Sequence, residues 1–371
     1  MKKLSRQEAI DIIYGCAVLG TGGGGNLQSG LNMIEECYDQ GNVIEMAELS
    51  ELGDDDFVAT PYGCGAPRLL DGTTDDRYAK LPRLDYPAPL LAFRTLEEYM
   101  GKKFFAVASS ELGAESTAEA LYIAGRLGIP IMNADAAGRS VPDLQYSTYF
   151  VKKKPIYPMA VATEFGETVL IKEVVDDFRA EAVARAIAVV SDNMVGIADH
   201  PMSGRDYKES VIPEAMTYAM RIGEILRETR ESGGDGHMVA EAIARNMQGR
   251  IMFRGTITDA PWEARDGYNY GEIRLAGIDK FKSDTYRICF KNENIISFKN
   301  GEVDVTSPDL ICMIDKGGIP VNTPNFGKDQ ELTILALPSP GIWVSEEGLK
   351  CFDLNYFGFD VQYRPFDREE K

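Results

Sequence analysis

The stretch F-F-A-V-A-S-S-E-L-G-A-E-S-T-A-E-A-L-Y-I-A-G-R-L-G-I-P-I-M-N-A-D, residues 104–135, decides the fold. Residues 104–108 are compact and apolar, as a buried strand requires. Residues 111–127 carry apolar side chains at helical spacing, and 129–134 form a second apolar run. Strand, helix and strand within about thirty residues make a βαβ unit, so the two strands lie parallel in one sheet.

Upstream, Ser5 followed by Glu8 forms a capping box that supplies acceptors to the first amides of a helix. That helix ends at Gly20, and a second amphipathic helix begins near Asn26 or Leu27. Strand-like runs follow at 43–49 and 57–60. Downstream, 157–164 and 168–174 flank Phe165-Gly166-Glu167 as a hairpin would. Residues 177–250 read as helical, in segments 180–190, 214–230 and 238–247. Beyond 250, short runs at 251–257, 285–290, 295–298 and 332–337 alternate with Gly, Asn, Asp and Pro turns. That rhythm predicts a small antiparallel sandwich or barrel. The expected architecture is an α/β three-layer N-terminal domain over 1–165, carrying a Gly-rich loop, and a C-terminal domain over 166–371 with helices and a mostly antiparallel, barrel-like β body.

The chain has 371 residues, 44% of them hydrophobic, and 58 acidic against 39 basic side chains give a formal charge of −19. Such a charge repels phosphate backbones, so nucleic acid is not an expected partner. No stretch reaches the ~18–20 apolar residues of a membrane span, so no membrane association is expected. The start M-K-K-L-S-R-Q-E-A-I-D lacks the apolar core of a signal peptide. The six cysteines form no C-x-x-C pair, and there are two histidines, His200 and His237. Reduced thiols and a cytoplasmic protein are the expectation. The sequence requires no cofactor, and carboxylates alone leave a divalent metal open.

Gly20-Thr21-Gly22-Gly23-Gly24-Gly25-Asn26 matches G-x-G-x-x-G by letter. The context departs from the dinucleotide fingerprint, which follows a strand, whereas here a capped helix precedes the run. A glycine run ahead of a helix exposes backbone N–H groups suited to a carboxylate, a phosphate or a developing oxyanion. The alternative is a tight turn where backbones approach closely.

Ligands of open parallel sheets sit beyond the carboxyl ends of the strands. Glu111, taken as opening the helix after the strand 104–108, and Asp135, following the strand 129–132, occupy such positions. If the two strands are neighbours the carboxylates share one crevice, where unequal ionisation lets one act as base and the other as acid. They can equally be a helix-start acid and a turn residue. Cys64, in the run Thr60 to Pro67 read as a loop, is a weaker nucleophile candidate. His200 and His237 sit in D-H-P and D-G-H-M contexts and read as surface or loop histidines.

Taken together, L-G-T-G-G-G-G-N at 19–26, S-E-L-G-A at 110–114 and N-A-D-A-A-G-R-S-V-P-D-L-Q at 133–145 resemble a known family. The later motifs P-M-A-V-A-T-E-F-G-E at 158–167, F-R-G-T-I at 253–257, K-N-E-N at 291–294, S-P-D-L-I at 307–311 and Y-F-G-F-D at 356–360 continue the resemblance. The family is that of the S-methyl thiohydantoin desulfurases, associated with hydantoinase and oxoprolinase proteins. The resemblance implies removal of a methylthio group from a five-membered cyclic ureide, leaving hydantoin and methanethiol. It implies Glu111 and Asp135 as the acid–base pair, and Gly22, Gly23, Gly24, Gly25 and Asn26 as substrate-binding. Arg139 would pair with an anionic side chain, and Glu164 and Asn292 complete the set. The expected partners are the small cyclic ureide, further copies of the chain in a homo-oligomer, and hydantoinase or oxoprolinase subunits. Two other readings stand beside this one: a metal-assisted cyclic amidohydrolase with Asp135 among the ligands, and a non-catalytic accessory subunit of such a complex.

Overall fold

The computed structural model describes residues 1–65, 78–265 and 268–366. In the first half, β1 (Lys2–Lys3), α1 (Arg6–Leu19), α2 (Leu27–Asp39), β2 (Glu45–Ala47) and β3 (Phe57–Gly65) are followed by α3 (Ala88–Met100). Next come β4 (Ala106–Ser109), α4 (Ala114–Leu127), β5 (Ile131–Asp135), α5 (Thr148–Val151), β6 (Met159–Thr163) and β7 (Thr168–Ile171). Then α6 (Asp177–Val189), β8 (Met194–Ser203), α7 (Gly204–Ser210), β9 (Ile212–Pro213), α8 (Ala215–Glu231) and α9 (Gly236–Asn246) follow. The remainder is β10 (Arg250–Asp259), β11 (Trp262–Arg265), β12 (Tyr268–Gly277), β13 (Thr285–Lys291), β14 (Glu293–Lys299), β15 (Glu302–Thr306), β16 (Leu310–Asp315), β17 (Glu331–Leu337) and α10 (Glu346–Cys351).

The expected βαβ unit is present: β4 and β5 pair in parallel, with α4 between them in sequence. The first sheet runs β1-β2-β5-β4-β3-β8-β6-β7, with β9 added on β5. Only β2, β5, β4 and β3 run parallel, so the sheet is mixed. Alternation along the strands loads both faces. Ala59, Val107, Ile131, Ala160 and Ala198 pack into the core with α1, α2, α3, α4 and α8. Val58, Ala106, Met132 and Ala134 face Tyr149 and Tyr207 on the other side, and Tyr62, Met159 and Ile197 face α6. These are the three layers of an α/β domain. The second sheet, β15-β14-β13-β12-β10-β17-β16, is antiparallel throughout and curls into a half-barrel over its own core around Phe253, Ile273, Ile288 and Ile334. Among the described residues no helix is long and apolar enough to cross a membrane.

Three expectations about local structure are corrected. The helix after β4 starts at Ala114 with Gly113 as its cap, so Glu111 lies in the connection ahead of it. Thr60 to Gly65 continue β3 as a strand paired with β8, and Ala66 and Pro67 lie outside the described residues. The span 177–250 is not all helical: β8, M-V-G-I-A-D-H-P-M-S, is an antiparallel strand between β3 and β6. Its Gly, Asp, His and Pro hide a strand from any periodicity count.

The α1–α8 contact depends on two glycines. A Cβ on Gly15 would lie 1.8 Å from the Ala219 carbonyl oxygen, and one on Gly223 would lie 1.8 Å from that of Asp11. Arg227 closes the same contact with two donors on Asp11, each at 3.0 Å. Backbone atoms of two packed helices cannot step aside, so Gly223→Ala is expected to lower stability by about 3 kcal/mol, the upper end for overpacking a core. Urea denaturation of the variant beside the wild type measures it.

Candidate functional site

The glycine run lies between α1 and α2 and is held mainly through its carbonyls. Gly23 N–H returns to the Gly20 carbonyl at 2.8 Å, and Glu115 N–H donates to the Gly24 carbonyl at 2.9 Å. From the half-barrel, Asn294 N–H donates to Thr21 at 2.7 Å and Thr323 N–H to Gly22 at 2.7 Å. Asn322 Nδ2 reaches the Gly25 carbonyl at 2.8 Å. The amides of Gly22, Gly24 and Gly25 donate to no described residue. Gly24 and Gly25 have φ of +77° and +81°, values that glycine alone accepts without strain.

A cavity of about 800 Å³ opens on this run, lined in part by Gly23, Gly24, Gly25, Asn26, Glu111 and Glu293. That volume lies within the usual range of small-molecule sites, ~300–1,000 Å³. Glu111 sits in the β4–α4 connection and accepts from Ser116 Oγ at 2.7 Å and from Val141 N–H at 2.8 Å. Burial pushes its carboxyl up to about 7, and those two donors hold it from going higher. Glu293 begins β14 and is buried, and its Oε2 has no partner among the described residues. Burial and the proximity of Glu111 hold its carboxyl well above the usual range. A Cβ on Gly23 would sit 1.8 Å from Glu293 Oε1, so the glycine is what lets this carboxyl lie against the run.

The other expected residues divide between the cavity and its surroundings. Asn26 caps α2 through Ser29 N–H at 3.0 Å and gives its own N–H to Glu115 at 2.8 Å, on the cavity wall. Asn292 also lines the cavity, its Oδ1 accepting from Asn269 N–H at 2.8 Å. Glu164 stands at the rim, ion-paired with Arg83, which also holds Asp192 at 2.7 Å. Gly22 is packed against Asn294 and Thr323 and is not on the wall.

Asp135 and Arg139 are close by but also not on the wall. Asp135 ends β5, and its Oδ1 accepts from Ala137 N–H at 2.7 Å and from Gly138 N–H, which turns the chain. Burial pushes its carboxyl up to about 6. Arg139 is fully buried and donates to the carbonyl of Pro308 at 2.9 Å, to Thr21 Oγ1 at 3.0 Å and to the carbonyl of Ser140 at 3.1 Å. It therefore ties the glycine run to the half-barrel, and burial lowers its guanidinium to about 10. Cys64 lies on the wall, but burial pushes its thiol up to about 12, the reverse of an activated nucleophile.

Glu293 and His200 are among the wall residues that were not read as site residues from sequence. Glu293 lay inside K-N-E-N, where the signal was an acid in a motif otherwise read through Asn292. His200, expected at the surface, is 3% exposed on β8 and lines the cavity. His237 is on α9, with Nε2 3.4 Å from Glu241 one turn on. Among the described residues no three His, Cys, Asp or Glu side chains are grouped as metal ligands.

A crystal structure of a protein from Chromobacterium violaceum shares this fold, with a TM-score of 0.81 at 20% identity over 99% of this chain and 100% of that one. Comparison with curated proteins finds no match. The S-Me-THD-like N-terminal domain matches residues 7–173 and the S-Me-THD-like C-terminal domain matches residues 175–366. Both halves fall in the order the motifs follow along the sequence, and the chain belongs to the S-Me-THD-like family.

Proposed function

We propose that the protein is a hydrolase that removes the methylthio group from an S-methyl thiohydantoin, giving hydantoin and methanethiol. The observation that carries this reading is the carboxyl pair at the glycine run. Glu111 ionises at about 7, Glu293 ionises well above the usual range, and both line one cavity. Near neutrality one carboxyl is available as a base while its neighbour keeps a proton, which is the division of labour that hydrolysis of a C=N–bearing carbon needs.

Glu111 takes a proton from water as the oxygen bonds to the ring carbon that carries sulfur. The C=N electron pair moves to the ring nitrogen, which takes the proton of Glu293. The tetrahedral carbon then expels the sulfur with the C–S electron pair and becomes a carbonyl, its hydroxyl proton returning to Glu293. The proton that Glu111 took is given up, so that the sulfur ends as methanethiol. The amides of Gly24 and Gly25, which donate to no described residue, are suited to the ring's carbonyl oxygen. Asp135, off the wall, supports the turn at the end of β5 instead of meeting the ring.

Turnover in H₂¹⁸O tests the scheme. The hydantoin formed is expected to carry one labelled oxygen, at the carbon that held sulfur, with release of unlabelled methanethiol. Hydantoin without label would contradict attack by water at that carbon.

A further inference from the structure

A second group of ionisable side chains lines the same cavity away from the glycine run, on the paired strands β3 and β8. Asp199 and His200 are consecutive in β8, and both line the cavity. Neighbours in a regular strand point to opposite faces. Here the register against β3 slips: Val58 pairs with Met202 and Thr60 with Asp199, so His200 and Pro201 together oppose Ala59. His200 also has φ of +45°, the left-handed region that a histidine seldom enters. The bulge and the left-handed residue re-aim the imidazole to the side of Asp199, a local strain of the kind that collects at functional sites.

The imidazole is tightly placed. Its Nδ1 lies 2.9 Å from Asp199 Oδ1, and Tyr62 donates its hydroxyl to the other oxygen of the same carboxylate. The Tyr149 ring lies 4.6 Å from the imidazole. Nε2 is buried without a hydrogen-bond partner among the described residues, and the nearest carboxylate, Asp177 Oδ1, is 3.8 Å away and equally unpartnered. A carboxylate on Nδ1 fixes the ring and its tautomer and leaves Nε2 as the exchanging nitrogen. The wall around it carries Tyr62, Cys64, Met194 and Val195, whose rings, alkyl groups and sulfurs suit a thioether, beside the charged Glu181 and Arg185.

We propose that His200, held by Asp199, is a third acid–base residue of this site and delivers a proton to the methylthio sulfur as it leaves. The proposal rests on the function proposed above. As the C–S bond breaks, its electron pair stays on sulfur and the imidazolium proton passes to it, releasing methanethiol and neutral His200. The proton that Glu111 took from water restores the imidazolium through solvent exchange, so the cycle consumes one water and no other reagent.

The test is a leaving-group comparison. His200→Asn is the variant of choice, because asparagine tolerates the left-handed backbone and its amide can donate to Asp199 as Nδ1–H does. With the S-methyl substrate its kcat is expected to fall by about 10²–10³-fold, a typical loss for a proton-transfer group. With an S-(2,2,2-trifluoroethyl) substrate, whose thiolate leaves without protonation, it is expected to stay within about threefold of wild type. Asp199→Asn is expected to show the same selectivity. Equal losses on both substrates, or none, would overturn the proposal and leave the function standing; a wild type inert to both would overturn the function and this step with it. NMR of the two imidazoles reads the contact independently of turnover. Added hydantoin is expected to move the His200 signals and leave those of His237 in place, and unchanged His200 signals would refute the contact even if the variants failed to fold.

Discussion

Glu111→Gln is expected to lower kcat by about 10³-fold with a modest change in KM, within the ~10²–10⁴ range for loss of a general base. The substitution keeps the shape, and the amide oxygen can still accept from Ser116 or Val141, so the change isolates the lost basicity. The sign of the pH dependence follows from the ionisation at about 7. Below that value Glu111 is protonated and cannot take a proton from water, so kcat/KM rises with pH through about 7. Glu293 must be protonated to act, and its raised ionisation places the falling limb at higher pH. The rising limb is expected to vanish in Glu111→Gln, and Glu293→Gln is expected to lose the part of the falling limb that Glu293 sets while keeping the part set by His200. Steady-state rates across pH 5–10 for the three proteins measure both. A rising limb near 4–5, or one unchanged in Glu111→Gln, would remove Glu111 as the base.

Gly24→Ala is the second large effect, and it acts on the fold of the site. A Cβ there would lie 2.3 Å from the Cα of Gly113 and 2.2 Å from Ser140 Oγ, on a backbone with φ of +77°. The hydroxyl can rotate away, but the cap of α4 cannot. Left-handed strain of roughly 1 kcal/mol and overlap of about 2–3 kcal/mol make an expected loss of about 3–4 kcal/mol. Gly41→Ala is the control, since Gly41 has φ of +78° and nothing within 4 Å of the added Cβ. It should lose only the strain. Guanidinium denaturation of both variants gives the two terms separately, and equal losses would show that the close approach of Gly24 to Gly113 is unimportant.

Much of the architecture was legible because its signals are local. Ser5 and Glu8 form the capping box that the spacing implies, Asn26 caps α2, and the βαβ unit at 104–135 sits in the sheet as read. The β8 strand was not legible, since its pairing partners lie more than thirty residues away and its own sequence carries strand breakers. The site divides in the same way. The glycine run and Glu111 stand out as residue types in unusual contexts. Asp135 has the same sequence credentials as Glu111, yet its side chain folds back on the amides of its own turn, a choice that spacing does not encode. Glu293 and Thr323 come to the run from the half-barrel, and no local pattern can place residues about 270 and 300 positions away in the chain against Gly23 and Gly22.

The formal charge of −19 also reads differently once the cavity is seen. Glu111, Glu119 and Glu293 all line it with carboxyls raised by burial, Glu119 to about 8. Near neutrality part of the acidity at the site is therefore protonated and serves as hydrogen-bond donor. A neutral ureide with acceptor oxygens and nitrogens meets such a wall without the repulsion that the total charge suggests.

The most direct measurement is release of free thiol by the purified wild-type protein from S-methyl thiohydantoins bearing different side chains. The account predicts one methanethiol and one hydantoin for each substrate consumed, at rates far above the buffer reaction. Absence of thiol release across the series, from protein shown to be folded, would contradict it.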